Sequence, residues 1–269
     1  MQFLYNNKVM QLEFIKFEIK SGIATIELNR PEKFHSFIRQ MALELQEALD
    51  FCNRDHEIRA VIFTASGKAF CAGQDLSEAI DENGLEISAI VEEHYNPIIL
   101  KLRNLTKPVV CGVNGVAAGA GANIALACDI IVAAESATFI QAFSKIGLVP
   151  DSGGTFLLPR LVGFQRATAL MLLGDKVSAA QAKEMGMIYQ VVKDEELTDE
   201  LNRIATQLAN MPTKAFEYTK HLLNESMHNS LEKQLILEGE YQQKATETND
   251  YKEGVTAFLE KRKPLFKGN

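Results

Sequence analysis

KPVVCGVNGVAAGAGANIALACD, residues 107–129, carries the strongest structural signal in this chain. It opens with the β-branched run Val109–Val113, which Pro108 sets off from the residues before it. Such a run favours an extended, buried strand. Gly115 ends the pattern, and a turn of glycine and alanine follows at 119–121. The stretch therefore predicts a buried strand that leads into a turn with almost no side chains.

The turn at 119–121 and the helix predicted after it, over 122–127, are a candidate ligand site. Without side chains a ligand can approach the backbone closely, and the first N–H groups of a helix have no partner within it. Such amides can hold an anion or an oxyanion. Small residues also let a buried helix pack closely on a sheet with no ligand. A dinucleotide fingerprint fits less well, because Ile124 replaces the third glycine and Asp129 comes too early for the expected acid.

Composition excludes several classes of protein. The chain has 269 residues, of which 46% are hydrophobic and 23% are charged, as in an ordinary soluble globular protein. The net charge of −7 and the absence of a block of like charge give no support for nucleic-acid or membrane partners. The longest apolar run is interrupted by Asn114, Asn123 and Asp129, which argues against a membrane span. No secretory signal is visible, so we expect a cytoplasmic protein.

The cysteines and histidines give no sign of a metal site or a disulfide framework. There is no C-x-x-C pair, and the histidines lack the spacing of zinc ligands. The cysteines stand in hydrophobic surroundings, so we predict reduced thiols in the core and no metal. These cysteines are Cys52, Cys71, Cys111 and Cys128.

Strands and helices alternate along most of the chain. Alternating apolar residues predict a hairpin over 15–28, and further strands are predicted at 60–64, 130–134, 137–140 and 189–192. Helical spacing is present at 37–52, 85–105, 166–173, 178–185, 195–208, 214–223 and 231–245. This succession favours a mostly parallel α/β fold. We divide the chain into a core over 1–199 and a helical C-terminal region over 200–269 that would serve oligomerisation.

Two acidic residues follow turns where they could cap helices. Asp75 in GKAFCAGQDLSEA is predicted to cap a helix while Glu78 reaches back to it. Asp151 in VPDSGG is placed to cap a helix that begins at Ser152 or the next residue, and the glycines leave its carboxylate approachable. A cap position would keep the carboxylate of Asp151 ionised, whereas burial would raise its pKa. The sequence leaves open which effect dominates.

Several stretches together carry a family resemblance. They are NRPEKFHSF at 29–37, AFCAGQDL at 69–76, the stretch at 107–129, GLVPDSGGTFLLPRLVG at 147–163, and DYKEGVTAFLEKRKPLF at 250–266. In this order and over nearly the whole length, the chain resembles the enoyl-CoA hydratase/isomerase family, also called the crotonase superfamily. The resemblance implies a spiral of ββα units with a helical C-terminal region for trimer contacts, and often a dimer of trimers.

The resemblance also implies acyl-CoA thioesters as substrates, with coenzyme A as part of the substrate and no separate cofactor. Two backbone amides would hold the thioester oxygen, and by motif position these belong to Gln74 and Ala120. Coenzyme A would lie over the turn formed by Ala72, Gly73, Gln74, Asp75 and Leu76. Its adenine and phosphates would lie near Lys33 and Lys261.

The residues that move protons differ within this family. Its hydratases use two glutamates, and this chain has Asn123 and Phe143 at those positions, neither of which is an acid or base near neutral pH. Asp151 stands where certain isomerases carry an aspartate, so the resemblance implies an acyl-CoA isomerase with one carboxylate. A pocket lined by Phe143, His94 or Tyr95 would suit an aromatic acyl group. A hydratase or other crotonase reaction, and a binding protein without turnover, are the alternatives.

Overall fold

The computed structural model describes residues 2–5, 8–81 and 84–269, and β-sheets form its centre. The strands are β1 (Gln2–Tyr5), β2 (Lys8–Gln11), β3 (Ile15–Lys20), β4 (Ile23–Leu28), β5 (Ala60–Ala65), β6 (Ala69–Cys71), β7 (Val109–Val113), β8 (Val116–Ala118), β9 (Ile130–Ala134), β10 (Thr138–Ile140), β11 (Lys176–Ser178) and β12 (Gln190–Val192). A six-stranded sheet has the order β12-β9-β7-β5-β4-β3, and a four-stranded sheet has the order β11-β10-β8-β6. The strands β1 and β2 pair separately as an antiparallel hairpin.

Helices surround the sheets and make up most of the C-terminal part. They are α1 (Arg39–Arg54), α2 (Leu76–Ala79), α3 (Ile87–Ile90), α4 (Asn96–Asn104), α5 (Ala120–Leu126), α6 (Gly154–Val162), α7 (Phe164–Leu173), α8 (Ala179–Glu184), α9 (Leu197–Ala209), α10 (Thr213–Ser226), α11 (Leu231–Thr246) and α12 (Asn249–Leu259). A π-helical turn, Val91–Tyr95, joins α3 to α4. No described helix is both long and apolar enough to cross a bilayer.

Each successive pair of strands contributes one strand to each of the two sheets. In the pairs β5/β6, β7/β8 and β9/β10, the first strand joins the six-stranded sheet and the second joins the four-stranded sheet. The pairings β5·β7, β7·β9, β6·β8 and β8·β10 are all parallel. Each unit thus consists of two strands followed by a helix and stacks on the previous unit. This arrangement confirms the predicted α/β class and the spiral of ββα units.

The strand β7 lies at the centre of the core. All of Val109–Val113 is buried between β5 and β9, as its sequence predicts. A fully buried valine contributes roughly 1.5–3 kcal/mol relative to an exposed one. Gly112 serves packing here, because a Cβ at this position would overlap the side chain of Leu201 on α9. The helix α9 therefore lies directly on the sheet, and the predicted division after residue 199 falls within it.

Several short strands and the starts of helices differ from the sequence predictions. The strands β1, β2, β6, β8 and β11 are absent from those predictions. Of these, β6, β8 and β11 have three residues each, and a run of three residues shows no periodicity and depends on pairing with its neighbours. The helix α5 begins at Ala120, two residues earlier than predicted. The four cysteines are buried and free in the core, where the sequence places them.

A buried ion pair ties the C-terminal helices to the core. Lys220 Nζ on α10 lies 2.6 Å from Asp129 Oδ2 and donates to the carbonyl of Lys107 at 3.1 Å. The end of the chain then folds back on α12, where the Asp250 carboxylate accepts hydrogen bonds from the N–H groups of Lys267 at 2.6 Å and Gly268 at 2.7 Å. The predicted helical C-terminal region is thus present.

Candidate active site

Two glycine turns from neighbouring ββα units meet above the sheets. Gly73 follows β6 and has φ +91°, and Gly119 follows β8 and has φ +53°, so both occupy backbone conformations that favour glycine. A Cβ at Gly73 would lie 3.0 Å from Ala118 O and 3.6 Å from Ala120 N. The absence of side chains therefore lets the two turns approach each other closely.

Each turn presents one backbone N–H that is not used by the fold. Gln74 forms a parallel bridge with Phe37, in which Phe37 N–H donates to Gly73 O at 2.7 Å and Asp75 N–H donates to Phe37 O at 2.9 Å. Because N–H groups alternate in direction along an extended segment, the N–H of Gln74 points away from Phe37. Ala120 is the first residue of α5 and has no acceptor in the preceding turn. Within the described residues, neither amide donates to a protein acceptor.

A mostly buried ion pair fixes the Gly73 turn. Arg30 Nη1 lies 2.7 Å from Asp75 Oδ2 and also donates to Ser36 O at 2.8 Å. Asp75 Oδ1 accepts from Ser77 N–H at 3.0 Å and caps α2 as predicted. Burial would raise the pKa of Asp75, but the hydrogen bonds from Ser77 and Arg30 outweigh it and lower that pKa to about 2. Asp75 is therefore a charged structural group.

The predicted return contact from Glu78 to Asp75 is wrong. The Asp75 N–H is already used by Phe37 O, as described above. Glu78 instead accepts from Arg39 N–H at 2.9 Å and from the side-chain amide of Gln74 at 2.8 Å. The bridge to Phe37 takes the donor that a capping box would need.

Asp151 does not cap α6 with its side chain, which corrects the sequence prediction. The N-cap residue is Gly153, with φ +70° and no side-chain bond, and the helix begins at Gly154. Asp151 contributes its backbone carbonyl, which accepts from Gly154 N–H at 2.9 Å. Its carboxylate accepts a hydrogen bond of 2.8 Å from Ser152 Oγ at Oδ1. Burial raises the pKa of Asp151, and the hydrogen bond from Ser152 opposes this only in part.

Asn123 connects the Asp151 loop to the helix that begins at Ala120. Asn123 Nδ2 donates to Asp151 O at 2.9 Å, and Asn123 Oδ1 accepts from Gln141 Nε2 at 2.8 Å. A Cβ at Gly154 would overlap the Asn123 amide, so glycine is needed where α6 packs on α5. Asn123 lies one turn of α5 after Ala120, and thus Asp151 is held next to the turn that presents the Ala120 amide.

Three aromatic side chains that we expected to line a pocket lie in this region. Phe143 is buried, and a Cβ at Gly119 would be 3.7 Å from its ring. Tyr95 donates its hydroxyl proton to Gln74 Oε1 at 2.7 Å. His94 is fully buried beside Tyr95, with a centroid separation of 6.3 Å between the two rings. Phe143 and Tyr95 thus border the Gly119 and Gly73 turns, respectively.

The structure brings together some, but not all, of the residues expected to bind coenzyme A. Ala72 N–H donates to Phe34 O at 2.9 Å, which places the exposed Lys33 next to the 72–76 turn. Leu76 is 54% exposed at the start of α2. Lys261 lies just beyond α12, and among the described residues no hydrogen bond or ion pair joins it to the turn. Its role in binding stays a prediction.

Several supporting side chains could not be inferred from the sequence. Arg30 and Ser152 lie within the motif stretches, next to residues that we singled out, but neither residue type by itself indicates a contact. Gln141 has no sequence signal, because its partner Asn123 is brought to it only by the pairing of β8 with β10.

Two backbone amides on stacked ββα units, with the partly buried Asp151 on a loop that packs against α5, form an arrangement typical of enzymes that stabilise an oxyanion during proton transfer. A family model described as enoyl-CoA hydratase/isomerase matches residues 18–269. The chain belongs to the enoyl-CoA hydratase/isomerase family.

Individual relatives match over nearly the full length. The chain is 49% identical over 260 residues to the 1,2-epoxyphenylacetyl-CoA isomerase of Escherichia coli (strain K12), covering 96% of this chain and 99% of that protein. It is 37% identical over 262 residues to the trans-2-decenoyl-[acyl-carrier-protein] isomerase of Streptococcus mutans, covering 96% and 100%. A crystal structure from Mycobacterium abscessus, assigned as an enoyl-CoA hydratase/isomerase, superposes with a TM-score of 0.90 at 39% identity and covers 95% and 100%.

Proposed function

We propose that this protein is an acyl-CoA isomerase in which Asp151 moves a proton and the Gln74 and Ala120 amides hold the thioester oxygen. The observation that carries the proposal is the partly buried carboxylate of Asp151, whose backbone carbonyl accepts a hydrogen bond from Asn123 on α5, the helix that begins at Ala120. Two relatives with isomerase names, at 49% and 37% identity, support the same reaction class.

The proposed reaction on a 3-enoyl-CoA conserves every atom. Asp151 takes a proton from C2, which the thioester carbonyl acidifies, and the electron pair forms a dienolate whose oxygen accepts from the two amides. Asp151 then returns the proton to C4, so that the double bond moves from C3 to C2. One preorganised donor can lower such a barrier by about 3–4 kcal/mol. The raised pKa of Asp151 suits a group that must both accept and return a proton.

We further propose that an aromatic acyl group is the natural substrate. The E. coli relative is a 1,2-epoxyphenylacetyl-CoA isomerase, and by analogy this chain would convert 1,2-epoxyphenylacetyl-CoA into the ring-expanded oxepin-CoA of phenylacetate catabolism. Phe143 packs next to the Gly119 turn, which places an aromatic ring near the proposed thioester site. The shift of a 3-enoyl double bond would be a second reaction of the same carboxylate.

The remaining binding features follow from the same proposal. Coenzyme A would lie over the 72–76 turn, with Lys33 supplying positive charge to its phosphates. Lys261 would do so from the C-terminal segment, either of the same subunit or of a neighbour in a homotrimer or dimer of trimers. Residues 200–269 would make those subunit contacts.

Hydration of an enoyl-CoA is the alternative reaction, because the family includes hydratases. It would need a group that activates water, but Asn123 and Phe143 stand at the two glutamate positions. In addition, both ends of the Asn123 amide are engaged, by Asp151 O and by Gln141. An amide cannot act as a general base near neutral pH, and therefore we favour isomerisation over both hydration and binding without turnover.

The test is to incubate trans-3-hexenoyl-CoA and crotonyl-CoA separately with the wild type, Asp151→Asn and Asp199→Asn. Asp199 is an exposed carboxylate on α9, so its variant controls for the loss of a charge. We expect the absorbance of the conjugated thioester to rise with the 3-enoyl substrate for wild type and Asp199→Asn only, with little hydration of crotonyl-CoA. Rapid hydration of crotonyl-CoA that Asp151→Asn leaves unchanged would overturn the proposal.

A further inference from the structure

We propose that Tyr95 is a positioning residue that holds the Gln74 amide in place as an oxyanion donor; the inference rests on the proposed function. Tyr95 is 1% exposed, and its hydroxyl donates to Gln74 Oε1 at 2.7 Å. It thus contacts the residue whose backbone N–H has no acceptor in the described part of the chain. Neither the sequence pattern nor the family motif points to this contact.

The side chain of Gln74 is held at both ends. Its Nε2 donates to Glu78 Oε2 at 2.8 Å, and Glu78 Oε1 accepts from Arg39 N–H at 2.9 Å. The carboxylate of Glu78 can only accept, which fixes the orientation of the Gln74 amide and leaves Oε1 toward Tyr95. Tyr95 must therefore be the donor, and the chain from Tyr95 to Arg39 restrains the rotation of Gln74.

Tyr95 also supports the backbone partner of Gln74. Its ring packs edge-on against Phe37, with centroids 5.9 Å apart and an interplanar angle of 65°. Phe37 makes the two hydrogen bonds, to Gly73 and from Asp75, that flank Gln74. Tyr95 thereby restrains Gln74 in two ways, through the side-chain amide of Gln74 and through the bridge between Gln74 and Phe37. A shift of Tyr95 would therefore move the Gln74 N–H that the oxyanion needs.

A rare backbone feature delivers Tyr95 to this position. The π-helical turn Val91–Tyr95 closes with the Asn96 N–H donating to Val91 O. Single π-turns within helices are infrequent and are often found at functional sites, because they shift the register of the side chains that follow. Here the turn ends at Tyr95, at the point where the helix faces the Gly73 turn.

The test compares Tyr95→Phe, which keeps the ring, with Tyr189→Phe as a control on a tyrosine that is 66% exposed. With trans-3-hexenoyl-CoA we expect kcat of Tyr95→Phe to fall about tenfold, less than the loss of a whole oxyanion donor, with KM changed less than about threefold. Gln74→Leu keeps the backbone N–H and removes the contact. Adding Tyr95→Phe to Gln74→Leu should therefore cause no further loss, since the two act as a unit.

A second readout needs no turnover. The carbonyl stretching frequency of [1-¹³C]hexanoyl-CoA, which cannot isomerise, should fall on binding to the wild type and to Tyr189→Phe, and fall less on binding to Tyr95→Phe. An equal shift in all three, or a kcat of Tyr95→Phe within twofold of wild type, would overturn the inference. If the wild type shifts the carbonyl but does not isomerise the 3-enoyl substrate, the proposed function fails while the role of Tyr95 stands.

Discussion

Ser152 donates a hydrogen bond of 2.8 Å to Asp151 Oδ1 from a left-handed backbone conformation with φ +50°. Ser152 is 1% exposed, so this bond is shielded from water. A non-glycine residue in that conformation costs roughly 1–2 kcal/mol, and strain of this kind is found at functional sites. The bond occupies Oδ1 and leaves Oδ2 of Asp151 as the oxygen for proton transfer.

Removal of the Ser152 hydroxyl should raise the pKa of Asp151 further. The hydrogen bond favours the carboxylate and opposes the effect of burial, so without it the base loses its proton only at higher pH. In Ser152→Ala we expect the acidic limb of the pH profile of kcat/KM to move to higher pH. The measurement is initial isomerisation rate against pH, and a limb that stays in place would contradict the role given to Ser152.

Ser152→Gly is the matched variant for that measurement. It removes the same hydroxyl but relieves the left-handed strain, so its acidic limb should move as in Ser152→Ala while its free energy of unfolding is higher by about 1 kcal/mol. Denaturant unfolding of the two variants measures this difference. If they unfold alike, the φ of +50° stores no strain.

Asp151→Asn should make the protein more stable at neutral pH while it abolishes isomerisation. Burial raises the folded-state pKa of Asp151, so the stability linked to this group is complete below the unfolded pKa and is lost as pH rises through the folded pKa. The amide still accepts from Ser152 and carries no charge. We therefore expect Tm at pH 7 to rise, by about 2–4 °C for each kcal/mol gained in a chain of this size.

The rise in Tm of Asp151→Asn over the wild type should depend on pH. At pH values below the unfolded pKa, where the wild-type carboxyl is already protonated, the two proteins should melt at the same temperature. A variant that is less stable than the wild type at pH 7 would show that the charge of Asp151 is stabilised in the fold rather than penalised.

Arg30→Met should destabilise the Gly73 turn, because it leaves the Asp75 carboxylate buried without its partner. The cost of breaking a mostly buried ion pair is roughly 3 kcal/mol. Arg30→Met combined with Asp75→Asn should recover part of this loss, since asparagine still caps α2 and is neutral. Denaturant unfolding measures both.

The ion pair between Arg30 and Asp75 also predicts that the stability of the fold falls at low pH. The pKa of Asp75 is lowered to about 2, so its contribution to stability is present above the unfolded pKa and is lost as pH falls through about 2. This loss should be smaller in Arg30→Met. An equal acid dependence in both proteins would assign the low pKa to Ser77 alone.

Protonation of His94 should lower the stability of the fold as the pH falls. The ring is fully buried, and within the described residues neither Nδ1 nor Nε2 has a hydrogen-bond partner. Burial lowers the pKa of His94, so stability is present above the unfolded pKa of about 6.5 and is lost as pH falls below it. His94→Leu should raise Tm and reduce the slope of Tm against pH between about 6.5 and 5.

His56→Gln is the control for this slope, because His56 is exposed. The slope should be reduced in His94→Leu rather than abolished, since burial also lowers the pKa of His35. If His94→Leu lowers Tm at pH 7, the histidine has a contact that stabilises the fold and is not a cost to it.

The strong periodic segments could be predicted from the sequence, whereas the finer features of the site could not. Val109–Val113 reads as a buried strand because each of its residues is compatible with one, and it forms that strand. The strands Ala69–Cys71 and Val116–Ala118 form because they pair with each other. Three residues carry no period from which pairing could be inferred.

The site shows the same division. The family resemblance implies the two amides and they stay a prediction, while the close approach of their two turns depends on the glycines at 73 and 119. The cap assigned to Asp151 was wrong, because Ser152 and Gly153 both adopt left-handed conformations and delay the start of α6 to Gly154. The contact of Tyr95 with Gln74 depends on a π-turn, whose extra residue has no counterpart in the hydrophobic pattern.

In the proposed reaction one carboxylate, that of Asp151, both removes and returns the proton. The most direct measurement is the position of deuterium in the product formed in H₂O from trans-3-hexenoyl-CoA deuterated at C2. We predict deuterium at C4 of the early product with the wild type, since the partly buried Asp151 carries it across, and no product with Asp151→Asn. Product formed by Asp151→Asn at the wild-type rate would contradict the claim.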